Sequence, residues 1–220
     1  TADLSVPVYF GLIPSSAAIW ADRLPHGAPT ADEKGIIDRL SYETGAQSVD
    51  LYAALDAHKS EDIYYRTDHH WTTKGAYLAY EAYMKAAGRE DEILTQEELE
   101  AVKHETPDTY VPEDGLTVTG YPNGTAQPGS LYVPEKLAEK DKYSFFLGGN
   151  QPLCVIQTQQ KDAPKVLLVR DSYSGRLAPF LTGRFSEIHL FDLRYNLTSV
   201  KSYVAEHDID AVVVLYSFSN

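Results

Sequence analysis

A three-layer α/β sandwich with a mainly parallel sheet is predicted by the last third of the chain. Continuous apolar runs at 166–169 and 211–216, with 187–191 between them, read as strands covered on both faces. Helical stretches at 174–181 and 198–207 alternate with them. Strand–helix–strand alternation of this kind gives parallel strands with helices on either side. Ligands in such sheets sit beyond the carboxyl ends of the strands, so residues just past each strand are the first candidates for chemistry.

The elements follow in order. Residues 7–13 read as a buried strand ending at Pro14, and 17–20 as a short helix or turn. Residues 31–44 put Ile36, Ile37 and Leu40 on one helical face and stop before Gly45. A short strand is expected at 48–52 and a helical turn at 53–58. The helix over 74–87 has Thr72 or Thr73 as N-cap and Gly88 as its stop. Its stripe of Ala76, Tyr80, Tyr83 and Met84 faces the core.

From about 89 to 165 the pattern changes. Thr106-Pro107-Asp108, Pro112-Glu113-Asp114-Gly115, Tyr121-Pro122-Asn123-Gly124 and Gln127-Pro128-Gly129 are turn signals between short β-type runs. They predict a β-hairpin-rich insertion at about 89–165 within a single domain spanning 1–220. Inside it, 96–102 suggests a short acidic helix, 143–147 and 153–156 are strand-like, and 148–150 is a turn. Beyond it, Pro179 falls in the first turns of its helix, and Thr198 or Ser199 caps the last one.

Composition narrows the function. A chain of 220 residues with 43% hydrophobic side chains can bury a sizeable core. A net charge of −13 argues against a nucleic-acid backbone or an anionic membrane surface as partner. Cys154 is the only cysteine, so no intrachain disulfide forms, and its apolar neighbours make it a buried inert thiol. No apolar run approaches the ~18–20 residues of a membrane span.

Asp68-His69-His70-Trp71 concentrates an acid, two imidazoles and an indole just before a helix. In an extended segment residues i and i+2 point the same way, so Asp68 can accept a proton from a His70 ring nitrogen and fix its tautomer. The matching alcohol is Ser172 in Arg170-Asp171-Ser172-Tyr173-Ser174, on the turn after the 166–169 strand. Plainer readings stand beside this one. Asp68 could simply cap a helix, and Asp171 could cap the helix near Ser174. Asp68, His69 and His70 could join a remote ligand around a metal. Adjacent histidines of an extended chain face opposite ways, however, so one ion rarely takes both and no metal is expected. No cofactor is expected either. Trp71 is expected to pack behind the histidine. Arg194 could pair with Asp192, clamp a substrate carboxylate or serve an oxyanion. Asn150 is either an oxyanion or substrate donor or a turn residue tolerating a left-handed conformation.

At these residues the chain resembles the bacterial DHHW proteins. They are similar to the SGNH hydrolase-like domains of the alginate O-acetylation proteins AlgX and AlgJ, whose version of the signature reads Asp-x-His-Trp. The resemblance spans nearly the whole chain and includes 10–14, 65–75, 144–152, 169–181 and 188–195. It implies a circularly rearranged SGNH hydrolase-like fold with the order Asp68, His70, Ser172, acceptable because a triad is defined by geometry rather than chain order. Carried over residue by residue, Ser172 is the nucleophile, His70 the general base and Asp68 its orienting acid. Arg170 stands where the family usually has glycine. Arg194, Tyr195, Ser217, Asn150 and Tyr173 are the candidates for oxyanion or substrate contacts.

The resemblance further implies an O-acetyltransferase or acetylesterase acting on a cell-surface or secreted polysaccharide through an acyl-serine, with a membrane-bound O-acyltransferase as acyl supplier. It implies an extracytoplasmic location, secreted or anchored through a segment preceding Thr1. The alternative is a non-catalytic glycan-binding or scaffold protein of a polysaccharide acetylation system.

Overall fold

The computed structural model describes residues 4–101 and 115–219. Among these residues, eight strands form one sheet: β1 (Val8–Ile13), β2 (Gln47–Ser48), β3 (Thr117–Gly120), β4 (Gln127–Gly129), β5 (Leu153–Gln157), β6 (Lys165–Arg170), β7 (Glu187–Phe191) and β8 (Ala211–Ser217). Their order is β2-β1-β8-β6-β7-β5-β3-β4. The run from β2 to β7 is parallel throughout. Strands β5, β3 and β4 then add an antiparallel edge beside β7. The hairpin-rich stretch therefore continues the sheet rather than standing apart from it. The turn signals at 106–108 and 112–114, together with Val102 and Asn220, lie outside the described residues.

The helices are α1 (Ser16–Ile19), α2 (Glu33–Thr44), α3 (Leu51–Asp56), α4 (Thr73–Ala86), α5 (Gln96–Ala101), α6 (Ser174–Leu181) and α7 (Val200–Glu206). The three layers follow from the two-residue period of the strands. Val166 and Leu168 of β6, Ile188 and Leu190 of β7, and Val213 and Leu215 of β8 pack in one core. That core also holds Leu51 and Leu55 of α3, Ala76, Tyr80, Tyr83 and Met84 of α4, and Leu177 and Phe180 of α6. The alternate residues Leu167, Val169, Phe191 and Val212 face the opposite way and meet Tyr203 and Val204 of α7. Both faces of the central strands are thus dry, which is why those runs are continuously apolar.

Two sequence expectations are corrected. Residues 48–52 do not form one strand: β2 stops at Ser48, and Asp50 accepts the Ala53 N–H at 2.9 Å as the N-cap of α3. Capping lets Leu51 and Leu55 bury one turn apart beneath the sheet. Residues 143–147 are not a strand either. Lys142–Phe145 form a 3₁₀ turn, and Phe146 makes a single bridge to Tyr132. Phe145, Phe146 and Leu147 are all buried, which the alternation of a strand with one solvent face does not allow.

Burial pushes the Cys154 thiol up to about 11, so it stays an inert part of the core. Among the described residues, no helix is long and apolar enough to cross a membrane.

Candidate active site

Ser172 lies just past the carboxyl end of β6, at the elbow leading into α6. Asp171, fully buried, shapes this elbow. Its Oδ1 accepts the Tyr173 N–H at 3.1 Å and its Oδ2 accepts the Ser217 N–H at the end of β8 at 2.7 Å. The Ser172 carbonyl accepts from Gly175 N–H at 3.1 Å, which starts the helix.

The Asp68 segment is a closed loop that reaches this elbow. Tyr64 bridges Trp71, and the Tyr65 N–H donates to the His70 carbonyl at 3.1 Å. The Tyr64 hydroxyl fastens the loop to the Pro14 carbonyl, at the end of β1, at 2.6 Å. Thr72 caps α4 through Gly75 N–H. Gly75 is required there: a Cβ would come within 2.5 Å of the Ile63 carbonyl oxygen and 2.8 Å of Trp71 Cβ.

The loop delivers His70 to Ser172. His70 Nε2 lies 2.7 Å from Ser172 Oγ, and His70 Nδ1 lies 2.6 Å from Asp68 Oδ1. The same carboxylate oxygen accepts the His70 backbone N–H at 2.9 Å. The segment is therefore bent around Asp68 rather than extended. The acid reaches the imidazole by folding back on its own backbone. The bend also corrects the expectation that the two histidines face apart, because their rings lie 3.9 Å from centre to centre. His69 itself is exposed, and its backbone carbonyl accepts from the Tyr173 hydroxyl.

His70 is 6% exposed and is sandwiched. On its other side Tyr143 stacks at 3.6 Å with an interplanar angle of 9°, its own hydroxyl donating to the Tyr173 carbonyl at 2.9 Å. Tyr143 is the ring-positioning residue that sequence reasoning missed. It sits in a run of aromatics with no motif to mark it. Arg176, buried beneath this layer, donates to Thr73 Oγ1 at 2.6 Å and lies 5.3 Å from the Tyr143 ring centre.

Burial lowers the His70 pKa below that of a free imidazole, against the opposing pull of Asp68. Burial by itself would raise Asp68, but hydrogen bonds and charge from His70 outweigh it and its pKa falls. The pair therefore holds a carboxylate against a neutral imidazole whose Nε2 can accept a proton.

Asp68, His70, Ser172, Asn150, Arg170 and Arg194 line a cavity of about 310 Å³. Asn150 enters from the turn between Phe146 and β5, where Leu147, Gly148 and Gly149 have φ of 60°, 69° and 102°. Arg194 is gripped by Asp192 through Nε at 3.0 Å and Nη2 at 2.8 Å, so it is chiefly that acid's partner and lies at the cavity wall. Tyr195 is 56% exposed beside it, with the Arg194 guanidinium 5.5 Å from its ring centre. Two candidates are placed differently from the expectation. Tyr173 has spent both donors, its N–H on Asp171 and its hydroxyl on His69, because it clamps the two segments together. Ser217 is buried with its N–H on Asp171, and its side chain is not part of the cavity wall.

A metal could be held only by Asp68, His69 and His70, whose ligand atoms lie within 4.8 Å of one another among the described residues. Both ring nitrogens of His70 are already engaged, by Asp68 and by Ser172, so the donor set does not suit an ion.

Residues 6–188 match the family described as SGNH hydrolase-like domain, acetyltransferase AlgX. A DHHW family protein from Eubacterium siraeum superposes on 97% of this chain and 78% of its own, at TM-score 0.78 and 28% identity. Bacillus cereus PatB1 with a sulfonyl adduct superposes on 98% of this chain and 81% of its own, at 0.77 and 24% identity. The O-acetyltransferase domain of Pseudomonas putida AlgJ covers 96% and 74%, at 0.50 and 16%. At these identities the last two likenesses speak for the fold. No curated protein sequence matches the chain.

Proposed function

The chain belongs to the SGNH hydrolase-like domain family of acetyltransferase AlgX, and we propose that it is a serine O-acetyltransferase or acetylesterase acting on a cell-surface or secreted polysaccharide. The observation that carries this reading is the unbroken relay from Asp68 Oδ1 to His70 to Ser172 Oγ, with both links within hydrogen-bond reach.

In this mechanism Ser172 Oγ attacks the carbonyl carbon of an acetyl ester while His70 Nε2 takes its proton. Asp68 stabilises the imidazolium that forms. The carbonyl oxygen becomes an oxyanion held by the Ser172 N–H and the Asn150 side-chain amide. The tetrahedral intermediate collapses, the ester C–O bond breaks, and the departing alkoxide takes the proton from His70. The acetyl group is left on Ser172. Water, in an esterase, or a sugar hydroxyl, in a transferase, then gives its proton to His70 and attacks the acyl carbon. The acyl C–Oγ bond breaks, Ser172 Oγ takes the proton back from His70, and acetate or the acetylated sugar leaves. Arg194 in the cavity wall, with the exposed Tyr195 ring beside it outside the cavity, is the surface assigned to the sugar. The acetyl donor is supplied outside the cytoplasm by a membrane-bound O-acyltransferase.

A serine-reactive fluorophosphonate tests the assignment. Labelling at Ser172, together with loss of both labelling and acetyl-ester hydrolysis in Ser172→Ala, is expected. No labelling of the folded wild-type protein overturns the enzyme reading and leaves a non-catalytic glycan-binding or scaffold protein.

A further inference from the structure

We propose that Arg170 is a positioning residue that fixes the amide of Asn150, and through it the second donor to the acyl oxygen at Ser172. This rests on the acyl-serine reading above.

Arg170 ends β6, two residues before Ser172, and is 1% exposed. A guanidinium in the core is costly and is retained where its donors do something specific. Its Nη1 donates to Asn150 Oδ1 at 2.8 Å and to the Asp171 carbonyl at 3.2 Å. Nε and Nη2 have no hydrogen-bond partner among the described residues. The hydrogen bonding of the buried charge is therefore concentrated on one amide of the cavity wall and on the backbone of the Ser172 elbow.

The chemistry of the pair sets the direction of the amide. A side-chain amide offers an acceptor and a donor on nearly equivalent arms, and either can face a given neighbour. A guanidinium has donors only. Arg170 can therefore be met only by Oδ1, which assigns Nδ2 to the other arm of an amide lining the cavity with Ser172. The backbone approaching Asn150 is held independently. Leu147 N–H donates to the Leu131 carbonyl at 3.0 Å and Gly149 N–H to the Phe146 carbonyl at 3.2 Å. Leu147 is buried at a positive φ, a conformation an ordinary side chain adopts only when its surroundings impose it. The loop root places Asn150, and Arg170 then orients it. The same arginine touches the Ser172 elbow, so both proposed oxyanion donors are referred to one rigid group.

Kinetics of acetyl-ester hydrolysis in a double-mutant cycle test this. Asn150→Ala should lower kcat about 100- to 1000-fold with KM little changed. Arg170→Met leaves the donor present but unoriented, and should lower kcat about 10-fold or more, again without raising KM. The double variant should lose much less than the product of the two single losses, because Arg170 acts chiefly through that amide and only secondarily through the Asp171 carbonyl. Multiplicative losses, or an Arg170→Met variant that folds with wild-type kcat, overturn the proposal. Asn150→Asp gives a test that leaves Arg170 intact. The guanidinium holds one carboxylate oxygen and the other faces the acyl oxygen, so the melting temperature should hold or rise while kcat falls at least as far as in Asn150→Ala. Wild-type kcat in Asn150→Asp also overturns it. Failure of the Ser172 assignment looks different: Ser172→Ala would keep its activity.

Discussion

Trp71 and Tyr173 join the two halves of the site. The indole N–H of Trp71 donates to the Tyr173 carbonyl at 3.0 Å, and the Tyr173 hydroxyl returns to the carbonyl of His69. Each residue is the chain neighbour of a group in the proposed relay, Trp71 of His70 and Tyr173 of Ser172. The clamp therefore sets the separation between imidazole and alcohol from behind both. Trp71→Phe removes the N–H and some buried volume, and should cost about 1–3 kcal/mol in denaturant unfolding. It should also lower kcat, because a misplacement of about 1 Å between reacting groups is worth ~100-fold. A variant with wild-type kcat would show that the clamp does not set the alignment.

The tautomer of His70 is set by Asp68. Asp68→Asn keeps the shape but can present a donor to Nδ1, so kcat should fall about 1000- to 10,000-fold while the fold persists. A loss under tenfold in acetyl-ester hydrolysis would remove Asp68 from the relay.

The pH profile has a definite sign. The His70 pKa is held below the ordinary imidazole value of about 6.5, and the base role proposed for it requires the neutral ring. The rate kcat/KM should therefore rise with pH along a limb centred below ~6.5 and stay flat through neutrality. The linkage runs the same way: a depressed histidine pKa stabilises the fold above the unfolded value, and that contribution is lost as pH falls through the folded one. A limb centred at or above pH 7 would contradict the burial of the ring.

Gly75 controls how the loop sits on α4. A methyl carbon added at this position would meet the Ile63 carbonyl oxygen at 2.5 Å, so Gly75→Ala must push the loop away. Helix propensity favours alanine by ~1 kcal/mol, so a net destabilisation of the variant, read by thermal unfolding, would come from that clash. The activity should fall with it. A more stable and fully active Gly75→Ala would show that the loop adapts.

Metal dependence is the remaining discriminator. Because Asp68 and Ser172 already occupy both nitrogens of His70, a chelator should leave hydrolysis unchanged. Loss of activity restored by a divalent ion would support the metal reading instead.

The central part of the fold was legible because its strands are buried twice. Val166 to Val169 face two cores in alternation, and only a continuous apolar run satisfies both. The 48–52 and 143–147 stretches misled for the converse reason. Leu51 is buried by a helix that Asp50 caps, and Phe145 and Phe146 by a tight turn, so burial there carries no strand period. Asp68 and His70 were legible as a pair, although the bend that joins them replaces the extended geometry that suggested it. Tyr143 beneath the imidazole left no local trace, and Arg170 behind Asn150 showed only as a departure from the family's glycine, because neither contact is made within its own stretch of chain.

Local order along the chain determined which groups are available: an acid two residues before an imidazole, and an alcohol at the end of a strand that must be buried. Their meeting was decided only by the tertiary structure. His70 and Ser172 are 102 residues apart, and no local propensity acts over that distance. Packing of α4 and α6 on one face of the sheet, with Trp71 and Tyr173 locked between them, brings the two within a single hydrogen bond.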